Sequence, residues 1–136
     1  MTVQIAEELI APPPVAVLNA AQCEAALMQL PFPPTCWLLW DRDAGLPFLC
    51  GIASSPGPIR AHLVKDHVRD GRIGLTWFFP ELLDFVMARP PGFLGVSLFR
   101  FDTLGAAKIC EQSIVAEFGR REAGGILFNM RAERAA

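Results

Sequence analysis

The chain has 136 residues, 52% of them hydrophobic and only 19% charged, with a mean hydropathy of +0.34. That is enough chain to enclose one real core, and apolar enough to leave surface over for a partner. The net charge of −2 argues against strong DNA binding, no apolar run reaches the roughly 20 residues that span a bilayer, and the acidic N-terminus lacks the basic start of a signal peptide, so a cytoplasmic protein without membrane contact is expected.

The first ten residues favour neither helix nor strand, and residues 11–14 (APPP) form a stiff proline-rich linker. Residues 15–30 read as a helix with Asn19 placed to cap it, stopped by Pro31, Pro33 and Pro34. CWLLW at 36–40 is a continuous apolar run that fits a buried strand. Turn chemistry in DRDAG and a second apolar run at 46–52 complete a β-hairpin. Pro58 suits the first turn of a helix reaching about Arg69, which Gly71 and Gly74 break. Residues 75–79 are short and apolar, and Pro80 opens another helix that the RPPG at 89–92 ends. Residues 93–101 predict a third strand, and Asp102 or Thr103 caps a long helix over 104–118. A polar connection, a short apolar piece at 126–129 and a tail follow. This order predicts an α+β fold with a small, mainly antiparallel three-stranded sheet flanked by helices.

Few residues in this chain carry chemistry. Arg60 lies early in its helix, and His67 falls two turns on, on the same side. An arginine beside a helix start suits a phosphate oxygen; a solvated surface arginine is the plainer alternative. His67 sits near Leu63 and Val64, where a half-buried, hydrogen-bonded histidine is the competing reading. Ala107, Glu111, Ile114 and Phe118 share one helical face that is apolar except for Glu111. A carboxylate there is costly unless it is paired, with Lys108 as one partner, or holds a hard cation such as Mg2+. The cysteines at 23, 36, 50 and 110 form no C-x-x-C pair and read as reduced, buried thiols. The arginines at 60, 69, 72, 120, 121, 131 and 134 leave a local basic patch open.

In their order these pieces resemble a GIY-YIG nuclease domain. Cys36-Trp37-Leu38 lies where G-I-Y would be, and Leu49-Cys50-Gly51 where Y-I-G would be. GIASSPGPIRAH resembles the segment that follows, with Arg60 at the family arginine. FDTLGAAKICEQSIVAEF resembles the glutamate helix, and ILFN supplies a terminal asparagine. The resemblance implies a GIY-YIG-like domain over 35–130, behind an N-terminal extension (1–34) and before a tail (131–136). It also implies catalytic roles for Arg60, Glu111 and Asn129, and Mg2+ on Glu111. The departure from the family is plain: the chain contains no tyrosine, and both motif tyrosines are replaced, by Leu38 and Leu49. Leucine exchanges no proton, so hydrolysis is expected to be weak or lost unless His62, His67 or a metal-bound water acts as base.

Three functions follow from these residues: a degenerate nuclease-like domain that still contacts nucleic acid, a protein-interaction module on the same scaffold, and a Mg2+-dependent endonuclease with a substitute base. The interaction reading predicts a homodimer or partner surface through Trp77, Phe78, Phe79 and Leu83, beside Leu82 and Phe85.

Overall fold

The computed structural model describes residues 16–63, 80–90 and 92–128. Three strands form one antiparallel sheet: β1 (Thr35–Asp41), β2 (Leu46–Ala53) and β3 (Leu94–Arg100), with β1 in the centre. The helices are α1 (Ala20–Ala26), α2 (Pro56–Leu63), α3 (Pro80–Met87) and α4 (Leu104–Phe118). No helix among the described residues is long and apolar enough to cross a membrane.

Every residue of β1 is buried, because both faces of the sheet are covered. Side chains alternate across a strand, so the two halves of CWLLW enter different layers. Trp37 and Leu39 face one layer, with Val96 of β3, Cys23 and Leu27 of α1, Ile59 and Leu63 of α2, and Leu82 and Val86 of α3. Cys36, Leu38 and Trp40 face the other, with Cys50, Phe99 and the α4 residues Ala107, Cys110 and Ile114. The one polar side chain of β3 in this second layer is satisfied: the Trp40 indole N–H donates to Ser97 Oγ at 2.9 Å, and the Ser97 hydroxyl donates to the Ala16 carbonyl at 3.1 Å.

The hairpin turn closes on Asp41, whose Oδ1 accepts from the amides of Asp43 (3.1 Å) and Ala44 (3.3 Å). Gly45 supplies the positive φ of 71° that the turn needs. Leu39 pairs with Leu49 but Trp40 pairs with Pro47, so Phe48 is an extra residue in β2. This bulge directs both Phe48 and Leu49 toward the layer of α1, α2 and α3. The Phe48 carbonyl accepts from the Phe128 amide at 2.7 Å, which covers that edge of the sheet with the C-terminal segment.

The first predicted helix is corrected. Only Ala20–Ala26 is helical, behind an Asn19 cap in which Asn19 and Gln22 exchange side chain to backbone bonds of 2.8 Å. Leu18 instead forms an antiparallel bridge with Val96, two 2.8 Å bonds that occupy the free edge of β3. Cys23 and Leu27 are fully buried, so residues 18–27 are built into the same core as the sheet. Leu30, placed on the predicted helix, is 82% exposed. Pro56, not Pro58, opens α2, and the continuation to residue 69 lies outside the described residues. The long helix is as predicted: α4 spans Leu104–Phe118, and Thr103 Oγ1 caps it by accepting from the Ala106 amide at 3.1 Å.

Leu82 and Val86 are buried core residues, and Phe85 is half-buried against Phe48 and Phe128 at 5.1 Å between ring centroids in each pair. Leu82 therefore belongs to the interior, and Phe85 packs against it at the margin. Trp77, Phe78 and Phe79 lie outside the described residues, as does the side chain of Leu83.

Candidate functional site

Arg60 is set on α2 by two neighbours that face inward, Ile59 and Leu63. Its own side chain is exposed, and its Nε donates to Glu24 Oε1 of α1 at 2.7 Å. Both groups are nearly half exposed, so the pair ties two helices together weakly and screens the guanidinium charge. His67 and Asn129 lie outside the described residues, and so does the side chain of His62.

Glu111 is half-buried at the margin of the α4 stripe formed by Ala107, Cys110 and Ile114. Burial raises its carboxyl above the ordinary value, and the charge of Lys108 partly offsets that rise. Its field also reaches the thiols of Cys36 and Cys110. Cys36 donates a hydrogen bond to Cys110 inside this layer; that bond and burial together hold the Cys36 thiol well above its ordinary value. Mg2+ prefers several oxygen ligands in octahedral geometry. Among the described residues no group of three or more His, Cys, Asp or Glu side chains is arranged to hold a metal ion. Among the described residues, the groups whose charge acts on or responds to Glu111 are two thiols and an ammonium group, a set that does not fit the expected magnesium.

The structure does not bring Arg60 and Glu111 together: α2 packs on one face of the sheet and α4 on the other. The same alternation separates the two motif leucines. Leu38 is fully buried under α4, whereas Leu49 packs into the opposite layer. The core side chains of β1 that share a face with Leu49 are Trp37, one residue before Leu38, and Leu39, the residue directly paired with Leu49. If two motif side chains must meet at one site, the first position in this chain is Trp37 or Leu39 and not Leu38. Trp37 stands directly across from Gly51, the glycine of the second motif. A β-carbon on Gly51 would approach the Trp37 ring to 2.3 Å. That glycine is therefore required for packing the indole, with no phosphate needed to explain it.

A second constellation was missed by the sequence reading. The Arg89 guanidinium donates from Nη1 to Asp41 Oδ2 at 2.9 Å and lies 4.6 Å from the centroid of Phe85. The Arg121 guanidinium lies 4.1 Å from the centroid of Phe128 and 5.4 Å from that of Phe85. Burial and the positive charge of Arg89 both depress the Arg121 pKa, burial being the larger cause. One signal was present in the sequence: Phe85 and Arg89 are four residues apart at the end of a helix. The Arg121 half is long-range and had no local signature.

Compared with known proteins, the chain matches no family model, no curated protein and no solved structure.

Proposed function

We propose that the chain is a degenerate GIY-YIG-type domain whose phosphodiester hydrolysis is weak or lost and which contacts nucleic acid through Arg60. The observation that carries this reading is the chemistry at the motif positions. Leu38, Leu49 and the alternatives Trp37 and Leu39 are all packed in apolar layers. None can take a proton from water: leucine has no exchangeable proton, and an indole N–H only donates. Loss of a general base costs about 10²- to 10⁴-fold in rate. What Arg60 retains is charge and a planar set of donors, which suffices to hold a phosphate oxygen once Glu24 gives way. The order of the elements, hairpin, arginine helix, third strand and glutamate helix, supports the scaffold assignment.

A nicking assay on supercoiled plasmid with magnesium or manganese tests the hydrolytic half. No nicking above background is expected. Robust turnover abolished by Glu111→Ala would overturn it and restore the endonuclease reading. Fluorescence anisotropy with a labelled DNA duplex tests the contact: Arg60→Ala is expected to weaken binding, and unchanged binding would remove Arg60 from the interface.

A further inference from the structure

We propose that Arg121, with Arg89 beside it on the Phe85–Phe128 ring pair, forms a binding site for a phosphate group. This site uses neither Arg60 nor Glu111 and goes beyond the reading above.

The geometry gives the reason. A guanidinium packed near an aromatic ring is oriented by the ring, and this contact uses none of its five N–H donors. Arg121 lies against two rings whose centroids are 5.1 Å apart, and Phe128 is itself buried, so the platform is fixed to the core. The Arg121 residue is exposed to solvent, and among the described residues no carboxylate pairs with it. Asp41 cannot neutralise it as well. One Asp41 oxygen is taken by Arg89, and the other accepts the amides of the hairpin turn. Arg89 and Arg121 both approach the Phe85 ring, which holds two like charges close to each other. The Arg121 charge sits on an oriented, water-accessible fork. A phosphate is the complement: it accepts bidentate hydrogen bonds from a guanidinium and relieves the repulsion between the two cations.

The test uses the full chain and the arginine Nε–Hε signals in a two-dimensional NMR spectrum. Inorganic phosphate is titrated against sodium chloride at matched ionic strength. The expected result is a saturable shift of the Arg121 signal with phosphate and not with chloride. A fluorescein-labelled single-stranded oligonucleotide provides the second arm. If it moves the same signal at a lower phosphate concentration, the site serves a polymer backbone; if inorganic phosphate is the tighter ligand, it serves a free anion. Either result supports the site. Arg121→Ala is expected to weaken binding of the tighter probe about ten- to hundredfold, the effect of losing a charge-assisted hydrogen bond. Lys108→Ala, which removes one positive charge from α4, is expected to leave that binding unchanged. Should Arg121→Ala fail to fold, Arg121→Gln keeps a polar side chain while removing the charge, and the same loss is expected. No saturable shift with either probe, an equal shift with chloride, or unchanged binding in the folded Arg121 variant would overturn the proposal.

Discussion

The indole of Trp37 lies across the backbone of Gly51 on the neighbouring strand, so close that a β-carbon at 51 would stand 2.3 Å from Cζ2 and 2.8 Å from Cε2. Trp37 is buried among Leu39, Phe48 and Ile59, which leaves its ring little room to move aside. Gly51→Ala is therefore expected to destabilise the domain by about 1–3 kcal/mol through overpacking. Urea unfolding measures it. Shrinking the ring in a Trp37→Leu, Gly51→Ala double variant should recover part of the loss, so the two changes should cost less together than the sum of each alone. Strict additivity would show that the ring is not what excludes the β-carbon.

Asp41 ends β1, shapes the hairpin turn and anchors Arg89, and all three depend on one buried carboxylate. Asp41→Ala leaves two turn amides and the Arg89 guanidinium without that acceptor. Because Arg89 is about a third exposed, water partly replaces what it loses. The expected cost is about 2–3 kcal/mol, near the upper value for hydrogen bonds to a charged group. Asp41→Asn preserves the turn oxygen but not the charge and should cost less. Equal losses for the two variants, by thermal or urea unfolding, would place the whole effect in the charge that holds Arg89 and none of it in the turn.

The strands were legible in the sequence because β1 and β2 are continuous apolar runs separated by turn residues, and α4 because its stripe and its cap stand together. What was not legible was anything decided between segments. Val17 and Leu18 carry the apolar character of a helix start, yet the open edge of β3 takes Leu18 into a bridge. The bulge at Phe48 has no signature of its own, but it helps to decide which residues of β2 face which layer. A shift of one residue reverses the face in a strand. That is why Leu38 looked like the partner of Leu49 when its neighbours Trp37 and Leu39 are the residues on that side of the sheet. Arg60 and Glu111 failed to meet for the same kind of reason: spacing along the chain does not show which face of the sheet a helix will cover.

Glu111 makes stability depend on pH in a defined direction. Burial raises its folded-state pKa above the ordinary value of 4.5, so the native state holds the proton more tightly than the unfolded chain does. Stability contributed by the protonated carboxyl is fully present below about pH 4.5 and is lost as pH rises through the raised folded value. At neutral pH the buried charge is a net cost. Glu111→Gln should therefore raise the melting temperature at pH 7 and change it little at about pH 4, where wild-type Glu111 is already largely protonated. Differential scanning calorimetry at the two pH values measures this. A variant less stable at pH 7 would mean that the carboxylate has a favourable partner, and a metal titration would be the next measurement.

The four cysteines report separately on the two layers of the core. Cys23 lies on the buried side of α1 in one layer, and Cys36, Cys50 and Cys110 lie in the other. All four are buried. Burial pushes the Cys23 thiol from 9.0 up to about 11, which alone lowers its reactive thiolate fraction at pH 8 about a hundredfold. In the native protein, iodoacetamide at pH 8 should leave Cys23 unmodified for as long as it takes to label the urea-unfolded chain completely. The first opening should occur at α1, which has 7 residues against the 15 of α4 and lies before the sheet in the chain. Opening restores an ordinary thiol pKa, so peptide mass spectrometry across a urea series should find Cys23 modified at lower urea than Cys36 and Cys110. Simultaneous modification of all three would show that α1 unfolds only with the whole domain. Earlier modification of Cys110 would identify α4 as the weaker cover and reverse the expected order.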